Sequence, residues 1–212
     1  LFHVRASYAN EARRIISQLK QTGISRIAVF YQEDGLGKTL QAELRLAASA
    51  ENISFVAEIK GDPAKPDFKA AAAATEQAKP QAVIVATAGA TFPNYVKAVL
   101  QTSVKPGFYG FSVASVDVIN RELKQDARGI VLTQIMPSLR NATIPAVAEY
   151  LKLLREKSPD ARPSASQFEG FVHAKLLVEG LRRAGRPLST DSFIKAMEGA
   201  GLNIIAVEPS HC

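Results

Sequence analysis

The chain has 212 residues, 47% of them hydrophobic and 22% charged. That is ordinary globular composition, and the length is enough to bury a core without disulfide or metal staples. The net charge of +6 comes from scattered lysines and arginines, with no basic run interleaved with aromatics. The balance therefore gives no nucleic-acid footprint. The one cysteine, Cys212, stands at the last position and makes neither an internal disulfide nor a metal cluster. No apolar run reaches the length of a membrane span. Residue 1 is Leu, so the lack of a signal peptide carries no information, and the expectation is that coding sequence precedes it.

Helical periodicity starts at Ala9. Ala12, Ile15, Ile16 and Leu19 share a face, Glu11, Arg13, Arg14 and Lys20 are expected to point away, Asn10 is the expected cap and Gly23 the stop. Arg26–Tyr31 is a continuous apolar run, the mark of a strand covered on both faces. The helix from Gly37 to about Glu51 places Leu40, Leu44, Ala47 and Ala48 inward, and Ile53–Ile59 is a second strand. Pro66 is expected in the first turn of an alanine-rich helix. Ala82–Ala86 is the third strand, Phe92–Thr102 a helix, Gly107–Phe111 the fourth strand, Ser115–Leu123 a short helix, and Ile130–Met136 the fifth strand.

This alternation predicts an α/β fold: a doubly wound, mainly parallel five-stranded sheet in the flavodoxin-like arrangement. After Pro137 it stops. Three helices follow, at about 144–157, 164–184 and 190–199, and the longest carries a wide apolar stripe through Phe168, Phe171, Leu176, Leu177, Val178 and Leu181. The expected organisation is an α/β lobe over 1–137, a helical segment over 138–200, and a tail over 201–212 with a short strand at Ile204–Val207 before it frays.

The chemistry-bearing patterns are few. Gly37-Lys38-Thr39 looks like the end of a phosphate loop, but Gln32 stands where that loop needs its first Gly, and Glu33 and Asp34 would repel a phosphate. The same two acids are reminiscent of a phosphoryl-accepting pocket, yet the third strand ends Ala86-Thr87-Ala88-Gly89 without an acceptor Asp. His3, His173 and His211 have no partner at ligand spacing, and Ser112 lacks the glycine-framed elbow of a nucleophile. No enzyme chemistry and no cofactor are expected. What remains is a set of loops at the carboxyl ends of strands: Gln32–Leu36, Ala88–Thr91 and Phe111–Ala114. They suit a small polar ligand bearing a carboxylate.

Arg5-Ala-Ser-Tyr-Ala-Asn-Glu-Ala12 and Arg26-Ile-Ala-Val-Phe-Tyr-Gln-Glu-Asp-Gly-Leu-Gly37 resemble the middle of the branched-chain amino-acid-binding proteins of ABC importers, which are type I periplasmic substrate-binding proteins. The resemblance continues through Gly129–Pro137, Ile144–Tyr150 and Phe168–Ala174 and covers about residues 1–200. It implies a two-lobed clamp in which residues 1–137 are the second lobe and the later helices return to the first lobe, most of which would lie upstream. The implied ligand-binding residues are Asp34, Leu36, Ala90, Thr91, Phe111 and Ser112. Leu36 replaces the family's usual aromatic ring, and Ser112 stands where amino-acid-binding relatives can carry an acid.

The implied partners are a small-molecule solute (an amino acid or small carboxylate) and a membrane permease, in the periplasm. A homodimer through the exposed helical surface is a further expectation. The same fold also serves as the sensing domain of receptors and transcription regulators, which is the alternative. A flavodoxin-like enzyme would need acids or a phosphate loop that the sequence lacks.

Overall fold

The computed structural model describes residues 5–199. Internal contacts divide the chain into two compact units, Leu1–Ile135 and Met136–Cys212.

The first unit alternates α1 (Tyr8–Gln21), β1 (Ile27–Gln32), α2 (Gly35–Ala50), β2 (Phe55–Gly61), α3 (Phe68–Ala78), β3 (Ala82–Ala86), α4 (Thr91–Leu100), β4 (Gly107–Gly110), α5 (Val116–Leu123), a 3-10 turn at Lys124–Ala127, and β5 (Val131–Leu132). The sheet order is β2-β1-β3-β4-β5 and every pairing is parallel. This is the expected flavodoxin-like winding.

The alternation of side chains on the central strands explains the layering. Ala28 and Phe30 on β1, with Val83 and Val85 on β3, face a cluster built with α3, α4 and α5. Ile27 and Val29, with Ala82, Ile84 and Ala86, face the opposite cluster with α1 and α2. A strand whose two faces are both covered must be apolar at every position. That is why β1 and β3 read as unbroken hydrophobic runs. The edge strand β2 instead carries Glu58 and Lys60 on exposed positions, charges that discourage edge-to-edge pairing.

Several boundaries differ from expectation for local reasons. The cap of α1 is Ser7, whose side chain accepts from the Asn10 amide, rather than Asn10 itself. Gly23 does follow the helix, at φ +73°. Pro66 lies outside α3, which is capped by Asp67 accepting from the Ala70 amide. Ile53 closes the end of α2 by donating to the Ala48 carbonyl, so β2 starts two residues later. β5 is short because its partner β4 ends at Gly110. One more bond, from the Thr133 amide to the Gly110 carbonyl at 3.0 Å, finishes the ladder. The largest departure concerns Glu11: it is 4% exposed instead of pointing to solvent.

The second unit holds α6 (Pro145–Lys157), α7 (Ala165–Ala184) and α8 (Thr190–Glu198). Tyr150 on α6 packs its ring against Phe168 and Phe171 of α7 and donates its hydroxyl to Gln167. Ser164 and Ser189 cap α7 and α8. α7 passes close to α8 at Gly180, where an added Cβ would lie 2.5 Å from the Met197 sulfur. The apolar stripe expected on α7 splits. Phe168 is buried, whereas Leu177 and Val178 are about half exposed. His173 is exposed. The tail over 201–212, with its expected strand at Ile204–Val207, lies outside the described residues.

Candidate functional site

In an all-parallel sheet the carboxyl ends of the strands share one edge, and ligands sit in the crevice where the strand order reverses. Here the reversal falls between β1 and β3, because β2 lies on one side of β1 and β3 on the other. The loops after Gln32, Gly61, Ala86, Gly110 and Leu132 therefore line one rim.

At the reversal point the rim has a small cavity of about 30 Å³, bordered by Gln32, Asp62, Asp67 and Thr91. That is room for roughly one water molecule. Its acids are engaged locally. Asp34 accepts from the Gly37 amide at 2.7 Å and caps α2. Asp67 caps α3, and Asp62 accepts from the Ala64 amide. Glu33 pairs with Lys60 at 3.3 Å. This is turn and cap chemistry. Gly37 is needed here for a steric reason: an added Cβ would stand 2.1 Å from the Gln32 carbonyl oxygen. Gly35 has open space around it, so the tight strand-to-helix turn rests on Gly37.

α4 starts differently. Ala90 occupies its cap position in a helical conformation and offers no side-chain cap, so the first amides of α4 lack the acceptor that Asp34, Asp67 or Ser115 gives its own helix. Thr91 is half-buried and Ala90 exposed. Leu36 is half-buried against the α1–α2 cluster. Phe111 is fully buried, with its ring edge-on to Tyr8 at 6.2 Å.

Ser112 is the most heavily bonded of the six sequence-identified positions. Its amide donates to Glu11 Oε2 at 2.8 Å and its hydroxyl to Glu11 Oε1 at 3.0 Å, while Arg5 donates to the same hydroxyl at 2.9 Å. Arginine only donates and a carboxylate only accepts. The Ser112 proton is therefore committed to Glu11, and one acceptor lone pair is what its oxygen can still offer. Thr133, just past β5, donates its hydroxyl to Glu11 Oε2, and Arg5 Nη2 lies 3.6 Å from Oε1. Glu11 was missed in the sequence because its helical position reads as outward. The available signal was the acid in the first turn of α1, beside the chain that precedes it.

Glu11 also borders a groove of about 420 Å³ between α1 and β5, with Arg14, Gln18, Tyr109, Thr133 and Gln134. Among the described residues no group of three His, Cys, Asp or Glu is placed to hold a metal ion, and no helix is long and apolar enough to cross a membrane.

Comparison with known proteins agrees with this architecture. The sequence model of the periplasmic binding proteins matches residues 1–208. No curated protein matches the chain. Among solved structures, a substrate-binding periplasmic protein from Ralstonia solanacearum is 26% identical with a TM-score of 0.83, covering 92% of this chain and 56% of its own. A "possible leucine/isoleucine/valine-binding protein" from Rhodopirellula baltica is 23% identical, with a TM-score of 0.80 over 92% of this chain and 55% of its own. A fatty acid ABC transporter substrate-binding protein from Thermomonospora curvata is 17% identical, with a TM-score of 0.77 over 93% and 52%. The chain thus spans a little over half the length of these neighbours. The last two likenesses, at lower identity, establish the fold alone. With an α/β unit wound in this order and a family match running over nearly its whole length, the chain belongs to the type I periplasmic binding proteins.

Proposed function

We propose that this chain is part of the solute-binding component of an ABC importer, a binding protein and not an enzyme. In this reading residues 1–137 form the second lobe of a two-lobed clamp, and the helices over 138–200 belong to the part that returns to the first lobe. A small polar solute, an amino acid or related carboxylate, is held between the lobes in the periplasm and delivered to a membrane permease. The observation that carries the reading is the family match over residues 1–208. The parallel sheet supports it, since its winding gathers the loops after β1, β3 and β4 on one rim.

The proposed contact surface is the rim formed by Asp34, Leu36, Ala90, Thr91 and Ser112, with Phe111 supporting Ser112 from within. The uncapped amides of α4 suit an acceptor such as a carboxylate. Ser112 suits a hydrogen-bond donor. Lobe closure is driven only by the solute's differential affinity for the closed state.

One lobe supplies half of such a cleft, so the chain by itself is expected to bind weakly or not at all. Calorimetry with leucine, other amino acids and short carboxylates tests this, and tight binding by this chain alone would overturn the half-cleft assignment. In the encoding gene, a secretion signal upstream supports the importer. A DNA-binding helix-turn-helix upstream would overturn it in favour of a ligand-sensing regulator. The exposed Leu177, Val178 and Leu181 of α7 are proposed to drive self-association of this chain as a homodimer. A clean monomer by light scattering would refute that.

A further inference from the structure

The geometry points to Glu11 as a positioning residue that holds the β4 and β5 side of the rim in its final arrangement before any solute arrives. It rests on the proposed function for the location of the solute, and on the observed bonds for everything else.

Four donor groups converge on this one buried carboxylate. Oε1 receives the Ser112 hydroxyl at 3.0 Å and faces Arg5 at 3.6 Å. Oε2 receives the Ser112 amide at 2.8 Å and the Thr133 hydroxyl. The donors come from three places far apart in sequence: the chain before α1, the loop after β4 and the end of β5. Ser112 is 101 residues from Glu11, and Thr133 is 122. Nothing local brings them together, so α1 carries the acceptor to them when it docks on the sheet. The ion-pair partner of this carboxylate is Arg5, whose guanidinium also lies 5.4 Å from the centre of the Tyr8 ring, and Arg14 borders the same groove. Tyr8 in turn meets Phe111. The loop is thus held by polar bonds on one side and by a ring contact on the other.

Bonds to a charged acceptor are stronger than neutral ones, and where the acceptor is itself buried they are screened less than at the surface. A loop fixed this way loses little further freedom when a ligand binds, which lowers the cost of association. The α4 side of the rim has no comparable tie: Ala90 gives no cap and is exposed. The rim is therefore asymmetric, preformed at Ser112 and adaptable at Ala90–Thr91.

Amide hydrogen exchange on the full chain, with no ligand added, tests this. In the wild type the Ser112 amide is expected to exchange slowly although its residue is half-exposed. Glu11→Ala should speed exchange at Ser112 about 10- to 100-fold relative to the Ile84 amide of the central strand, the range for loss of a charged hydrogen bond. Thr133→Val, which leaves the carboxylate in place, is expected to fold and to speed Ser112 by a smaller factor, showing the coupling between the two loops. In Glu11→Gln the Ser112 amide proton should move upfield as its acceptor loses charge, with the dispersion of the core amides unchanged.

Near-intrinsic exchange of Ser112 in the wild type would overturn the inference. So would an unchanged Ser112-to-Ile84 ratio in Glu11→Ala, or, should that variant not fold, in Thr133→Val. None of these measurements involves a solute, so such a failure leaves the proposed function standing. Conversely, a failure to find a solute for the complete clamp leaves the role of Glu11 intact.

Discussion

The two faces of the sheet each bury polar groups, and they do so differently. On the α3–α5 face, Tyr95 stacks on Phe30 with ring centres 3.9 Å apart and its hydroxyl lies 2.6 Å from Thr75. The Thr75 hydroxyl donates to the Ala71 carbonyl one turn back, so the Tyr95 proton goes to Thr75. This pair is neutral and joins α3 to α4. On the α1–α2 face the buried group is the Glu11 carboxylate, and its partners are the ends of strands and the preceding chain. A neutral pair deep in a core fills space without leaving a donor orphaned. A buried charge at the rim makes the loops around it depend on one residue. The lesson is that the α1–α2 face supports the candidate site, while the α3–α5 face supports the fold.

If that contrast holds, the largest single-residue effect belongs to Glu11. Glu11→Ala takes the acceptor away from the half-buried Ser112 donors and leaves the Thr133 hydroxyl only its 3.5 Å contact with the Gly110 carbonyl, and chemical denaturation should show a loss of about 3 kcal/mol. The double variant with Thr133→Val should lose less than the sum of the two single changes, because both remove the same bond. Additive losses would dissolve the distinction between the two faces.

Gly37→Ala comes next. Its Cβ would press on backbone rather than on a movable side chain, so α2 must shift off β1. The expected loss is about 1–3 kcal/mol in the same assay.

Tyr95→Phe should lose only about 1 kcal/mol at neutral pH, since Thr75 keeps its bond to Ala71. This variant sharpens the contrast through pH. Burial pushes the Tyr95 hydroxyl well above its ordinary value of 10.0, and the bond with Thr75 only partly offsets that. The folded state therefore holds this proton more tightly than the unfolded chain, whose tyrosines release theirs near pH 10. The contribution is complete below the unfolded value. It is lost as pH rises past 10, by at most about 1.4 kcal/mol per pH unit. Denaturation curves from pH 8 to 11 should show this fall in the wild type and a shallower one in Tyr95→Phe.

The smallest effect is expected for Asp34→Ala, which removes a helix cap at a cost of ~0.5–1 kcal/mol. A loss of several kcal/mol would mean that Asp34 does more than cap α2.

Much of the architecture was legible before any coordinates. The unbroken runs at β1 and β3 announced strands covered on both faces, and the helical periodicity after Pro137 announced α6, α7 and α8. Gln32 was recognisable as a bar to a phosphate loop. The candidate site was legible as a set of loops, because parallel topology alone sends every strand's carboxyl end to one rim. Its bonding was not. Ser112 read as an implied ligand-binding position, and its commitment to Glu11 and Arg5 involves residues more than 100 positions away.

The sequence by itself determined the order of elements, the parallel winding and the family, because these follow from short-range periodicity and from motifs readable along one segment. It also determined that α1 has an apolar face made by Ala12, Ile15, Ile16 and Leu19. Tertiary structure decided what borders that face. Glu11 sits next to Ala12 in a first turn that periodicity assigns to water, and docking α1 on the sheet brings the ends of β4 and β5 over it. A charge is stable there because Arg5 from the preceding chain and donors from the ends of β4 and β5 surround it, and helical spacing carries no record of donors that arrive from elsewhere in the chain.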